Sequence, residues 1–150
     1  MIKRYIIFIA FVGLLFIVPG CEGGDGIQDA PAGATITINP SEFTLSDATG
    51  SAWHTQYFHI AVKDANGFGF ENIRLKIAFI WAVPDSSGLV QFYHGGSTVD
   101  SPFYALTDGD GAYTLRMDFV SGGIWVYSGT LQVTSGSAYD SADFSVDTGA

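Results

Sequence analysis

From Ile36 onward, apolar and polar residues alternate with a period of two in short runs, and no stretch keeps helical spacing through three turns. Phe58, Ile60 and Val62 define one face of a strand whose other face carries His59, Ala61 and Lys63. Asp64-Ala65-Asn66-Gly67 then turns the chain, Asn-Gly being a strong short-range turn signal. Ile73, Leu75, Ile77, Phe79 and Trp81 alternate in a long run that predicts a central strand, with Arg74 and Lys76 on its opposite face. Thr107-Asp108-Gly109-Asp110-Gly111 turns into Tyr113, Leu115, Met117 and Phe119, again spaced by two. Shorter runs lie at Ile36–Ile38, ending at Asn39-Pro40, then at Phe43 and Leu45, Leu89–Tyr93, Ile124–Tyr127, Thr130–Val133 and Ala142–Val146. Between Pro84 and Tyr104 the pattern reads as a long irregular stretch.

Seven to nine strands in about 115 residues predict an all-β chain, folded as an immunoglobulin-like antiparallel β-sandwich over residues 36–150. Phe58, Leu75, Ile77, Phe79, Leu115, Phe119 and Val133 are the expected core. Lys63, Arg74, Lys76 and Arg116 all fall on the polar parity of their strands, which supports these registers.

Upstream the pattern changes. Met1–Arg4 holds two cations, Tyr5–Val18 is almost unbroken apolar sequence, and Pro19, Gly20 and Cys21 follow. This is the layout of a secretory signal over residues 1–20, shorter than the roughly 20 apolar residues of a spanning helix. Val18-Pro19-Gly20-Cys21 resembles the lipobox of bacterial lipoproteins, with Pro19 where a small residue is usual. The resemblance implies cleavage before Cys21, a diacylglyceryl group on its thiol and acylation of the new amino terminus. That covalent lipid on Cys21 is the only non-protein group expected, and it makes the membrane a partner, since two or more acyl chains anchor stably. Residues 21–35, rich in Gly, Asp, Ala and Pro, then read as the lipidated cysteine and a flexible tether reaching roughly 20 Å. Glu22 is not the aspartate that marks inner-membrane retention in some lineages, so within the cell envelope the outer membrane is favoured.

Lys3 and Arg4 lie in the signal, so its removal takes the formal net charge from −9 to −11. Four scattered cations cannot neutralise a phosphate backbone, which excludes a nucleic-acid partner. A single cysteine excludes a disulfide framework and any multi-cysteine metal site.

Several segments resemble the bacterial immunoglobulin-like domains of the invasin/intimin type. Phe58–Gly67, ending in Val62-Lys63-Asp64-Ala65-Asn66-Gly67, is similar to their second strand and turn. Ile73–Phe79 fits the strand that follows, without the proline that usually opens it. Leu106–Leu115 is similar to their Asp-x-x-Gly hairpin, and Ser141–Val146 to their last edge. The resemblance implies a spacer or adhesion module on the bacterial envelope, without catalysis.

Candidate chemistry is sparse. Asp108-Gly109-Asp110-Gly111 has the alternating carboxylates of a calcium loop, but an apolar strand follows where further oxygen ligands are needed. A turn with glycines at positive φ and aspartate capping the backbone accounts for it better. His54 and His59 have opposite parity on one strand and so point to opposite faces, and with His94 they make no zinc pattern. No Gly-x-Ser-x-Gly elbow is present, and the carboxylates sit in turns or on solvated faces, so neither catalytic residues nor an enzyme are expected. The candidate binding loop holds Trp81, Phe92, Tyr93, His94, Phe103 and Tyr104 among Gly, Ser, Asp and Pro. The same aromatics could instead fold back and cap the sandwich, and Trp53, His54 and Tyr57 carry the same ambiguity. The leading reading is a non-catalytic module that holds a protein partner through edge strands or this loop. A glycan bound by exposed aromatics, or a surface fibre built by strand exchange, are the alternatives.

Overall fold

A computed structural model describes residues 26–45, 52–82, 87–121 and 126–147. The signal, Cys21 and the tether as far as Asp25 lie outside the described residues, as do residues 83–86 and the start of the strand expected at Ile124.

Ten strands are described, more than the seven to nine expected: β1 (Thr35–Asn39), β2 (Glu42–Leu45), β3 (Ala52–Lys63), β4 (Arg74–Trp81), β5 (Val90–His94), β6 (Ser97–Val99), β7 (Phe103–Leu106), β8 (Ala112–Ser121), β9 (Tyr127–Ser135) and β10 (Ala138–Val146). They form an immunoglobulin-like sandwich of two five-stranded sheets. The first runs β1-β3-β8-β5-β6 and the second β2-β10-β9-β4-β7. Strand pairing is antiparallel except between β2 and β10, which run parallel with Phe43 opposite Phe144. The second sheet is therefore mixed, a correction to the all-antiparallel expectation. Pro40, with no N–H to donate to a ladder, follows the end of β1, and by Glu42 the chain has crossed to the other sheet.

The expected irregular stretch from Pro84 to Tyr104 is also corrected. Gly95 and Gly96, both at positive φ (57° and 85°), close a two-residue hairpin between β5 and β6. β7 then begins at Phe103 and pairs with β4, Ile77 opposite Phe103. The strand expected at Leu89–Tyr93 is β5.

All seven expected core residues are buried. Alternation places Ile36, Ile38, Ile60, Val62, Met117, Leu131 and Val146 beside them. Phe144 stands at the centre, with ring centroids 5.4 Å from Phe43, 5.1 Å from Phe119, 6.2 Å from Phe79 and 6.0 Å from Tyr127. Tyr127 is fully buried, its hydroxyl donates to the Val120 carbonyl, and burial pushes its pKa up to about 12. Lys63, Arg74, Lys76 and Arg116 all face solvent, as their parity requires.

Two connections at one end of the sandwich lock into each other. The Asp64 carboxylate accepts from the backbone N–H groups of Asn66 (2.8 Å) and Phe68 (2.9 Å), and that of Asp108 from Asp110 (3.0 Å) and Ala112 (2.9 Å). These bonds, Phe68 first, hold the Asp64 carboxyl below its usual range. Gly67 and Gly111 take positive φ (87° and 74°), so both aspartate segments are capped turns, as expected. Buried Thr107 joins them: its hydroxyl donates to the Phe70 carbonyl (2.5 Å) and accepts from the Ile73 N–H (2.9 Å).

The same end receives the incoming chain. Gln28 bridges to Ile73, Asp29 pairs with Arg74 at 2.9 Å, and buried Ala30 donates its N–H to Ser135 Oγ (2.8 Å). The tether expected to reach residue 35 is thus docked on the domain from Gln28, held by contacts distant in sequence.

Candidate binding face

The six candidate loop residues do not come together. Trp81 and Phe92 turn inward, flanking Phe79 at 4.7 and 5.3 Å, and line a crevice of about 270 Å³ between the sheets with Val90 and Val99. His94 and Phe103 meet at the sandwich rim (6.1 Å), where His94 Nδ1 lies 2.9 Å from the Tyr113 hydroxyl. Tyr104, 60% exposed, stands on the outer face of the second sheet. Tyr93 stands on the outer face of the first.

On that first outer face Tyr93 has neighbours the loop reading missed. The register sets Tyr57 on β3 and Tyr93 on β5 opposite the same β8 residue, Arg116. The Arg116 guanidinium lies 4.5 Å from the Tyr93 ring centroid. It also grips Asp118 with two bonds, Nε to Oδ1 at 2.9 Å and Nη2 to Oδ2 at 2.6 Å. Thr55 donates to Asp118 Oδ1 (2.7 Å), and the Tyr93 hydroxyl donates to Gln91 Oε1 (3.1 Å). Further along β3, Trp53 is 55% exposed and Tyr57 48%. At the other side His59 Nδ1 lies 3.1 Å from the Thr114 hydroxyl. The result is an outer face of aromatic rings, hydroxyls and one clamped ion pair across β3, β8 and β5.

The signal for this face was present in the sequence. Phe58, Ile60 and Val62 point inward, so the same parity carried back along β3 turns Trp53, Thr55 and Tyr57 outward. His54, on the inward parity, stacks on Phe119 at 5.4 Å, and His59 points out, so the two histidines take opposite faces as expected. Among the described residues no group of three His, Cys, Asp or Glu side chains could hold a metal ion.

Hydrogen bonds from Arg116 hold the Asp118 carboxyl below its usual range, against the opposite push of burial. A carboxyl depressed in the folded state adds stability that is complete above the unfolded value, about 3.9, and is lost as pH falls through the lower folded value. Thermal melting of the wild type is therefore expected to fall below about pH 4, and less steeply for Asp118→Asn. Parallel melting profiles for the two proteins would remove any special role for the clamp.

The fold and this face together define a two-sheet immunoglobulin-like module with a polar-aromatic outer surface. No protein-family model matches the chain, and no curated protein matches it. Among solved structures it is similar to an ASH/PapD-like domain of human CEP192, at 12% identity and a TM-score of 0.44, over 77% of this chain and 86% of that one. It is also similar to a conjugative transposon lipoprotein from Bacteroides eggerthii, at 12% identity and a TM-score of 0.42, over 76% of this chain and 98% of the other. A C. elegans member of the MSP family gives 11% identity and a TM-score of 0.39, over 75% and 95% of the two chains.

Proposed function

We propose that this chain is a non-catalytic binding module, held on a bacterial envelope by lipid on Cys21 and contacting its ligand through the outer face of the first sheet. The observation that carries the contact surface is the grouping of Trp53, Tyr57 and Tyr93 on one side of β3, β8 and β5, with Trp53 and Tyr57 outside the core. The lipobox-like Val18-Pro19-Gly20-Cys21 supports the anchor, and Glu22 supports the outer membrane over the inner one. The segments similar to invasin/intimin-type domains support an adhesive rather than a chemical role.

An epitope tag after Ala150 tests the display. Antibody is expected to label intact cells, and the signal to leave the membrane fraction in a Cys21→Ser strain. Labelling only after permeabilisation would overturn surface display, and an unchanged membrane fraction in Cys21→Ser would overturn the lipid anchor.

A further inference from the structure

Resting on that reading of the face, we propose that its ligand is an uncharged polysaccharide. The chain carries fifteen acidic residues and a net charge of −9. Among the described residues, however, Asp118 is the only carboxylate at an outward position of β1, β3, β8, β5 or β6, and Arg116 clamps it. Lys63 stands at the far end of β3 from Trp53. The surface around the rings is therefore close to neutral on an acidic domain. An anionic ligand finds no free cation beside the rings, and a cationic ligand finds more charge elsewhere. Single-stranded nucleic acid also stacks on aromatics, but its phosphates need a basic groove that this face lacks.

The exposed large apolar residues here are Trp53 and Tyr57, both aromatic and amphipathic. The exposed aliphatics Ile80 and Leu106 lie on the outer face of the other sheet, with Tyr104 and Tyr139. Trp, Tyr and Arg also mark protein interfaces, but the buried centre of such an interface is depleted of acidic groups, and here Asp118 lies among the rings. A sugar ring instead presents C–H groups of slight positive charge to the negative face of an aromatic ring. Its hydroxyls meet side-chain partners around the edge, here Thr55, Thr114, Gln91, His59 and the Tyr93 hydroxyl.

Tyr57 and Tyr93 stand on strands about 10 Å apart with Arg116 between them, and Trp53 lies about 13 Å along β3 from Tyr57. Contacts so spread over three strands suit successive units of a chain better than a single small molecule, which favours a concave pocket.

The full-length lipidated chain in detergent can be run on affinity gels containing laminarin, xyloglucan or glycogen as neutral glycans and polygalacturonate as an anionic one. Retardation by at least one neutral glycan is expected. Trp53→Ala and Tyr57→Ala should each weaken it by about fivefold or more, on the scale of lost aromatic stacking. Tyr139→Ala, on the other sheet, should leave it unchanged, and near-ultraviolet circular dichroism confirms that each variant is folded. Retardation by polygalacturonate alone, indifference to both β3 variants, or no retardation by any neutral glycan would overturn the proposal. In the last case, a photo-crosslinking residue at position 57 separates the two readings. A crosslink to an envelope protein keeps the contact face and removes the polysaccharide, whereas no crosslink removes both.

Discussion

Phe144→Ala is expected to cost about 3–5 kcal/mol of unfolding free energy, the range for truncating a buried phenylalanine. Phe144 is fully buried on β10 and touches aromatic rings from four other strands: Phe43 on β2, Phe79 on β4, Phe119 on β8 and Tyr127 on β9. Those rings come from both sheets, so the cavity would sit where the sheets are joined and could not close without moving one of them. No disulfide is available to share the burden, because the chain has a single cysteine. A small domain has only about 5–15 kcal/mol in all, so the variant should lose a large part of it. Urea unfolding measures the effect, with Phe144→Leu as a near volume-conserving control that should lose less than about 1.5 kcal/mol. Equal losses in the two variants would show that the volume Phe144 fills between the sheets is not what it supplies.

Gly69→Ala is expected to cost about 3 kcal/mol, at the upper end for forcing extra atoms into a packed site. A Cβ at Gly69 would lie 2.0 Å from the Asp110 carbonyl oxygen and 2.9 Å from the Gly111 nitrogen, backbone that has nowhere to rotate. Relief requires the two aspartate turns to separate. That would strain the bond from the Val62 N–H to the Gly111 carbonyl (2.8 Å) and the bridge made by Thr107. Gly109→Ala, whose Cβ would meet nothing within 4 Å, is the control and should stay within about 0.5 kcal/mol of wild type. A Gly69→Ala protein as stable as Gly109→Ala would mean the two turns are free to part.

Much of the fold was legible because burial and period agree. Wherever an alternating run spans several residues, as in β3, β4 and β8, the inward parity and the solvent-facing cations follow from it directly. The aspartate turns were legible because Asp, Asn and Gly act on their own backbone within a few residues. Contacts between distant segments were not. Nothing local in Gln28-Asp29-Ala30 announces Ser135 or Arg74, and nothing in Glu42–Leu45 announces a parallel partner in β10. The hairpin of β5 and β6 is different, because Gly95-Gly96 between two short runs is a turn signal that the aromatic richness of the region obscured. For the candidate face, individual residues were visible but their grouping was not. Tyr57, Arg116 and Tyr93 come from three separated segments, and only the pairing register sets them in one row.

The docking of Gln28–Ala30 also has a mechanical consequence. A pull on Gly26 from its N-terminal side would reach the sandwich at the end that holds the aspartate turns, through Gln28, Asn72 and Arg74. From there tension passes into β1, which lies beside β3 from Thr35 opposite Lys63 to Asn39 opposite His59. If the opposing grip is on Trp53 and Tyr57, farther along β3, the force runs parallel to the strands. The rungs between β1 and β3 would then be sheared together rather than unzipped one at a time, the geometry in which a ladder yields last.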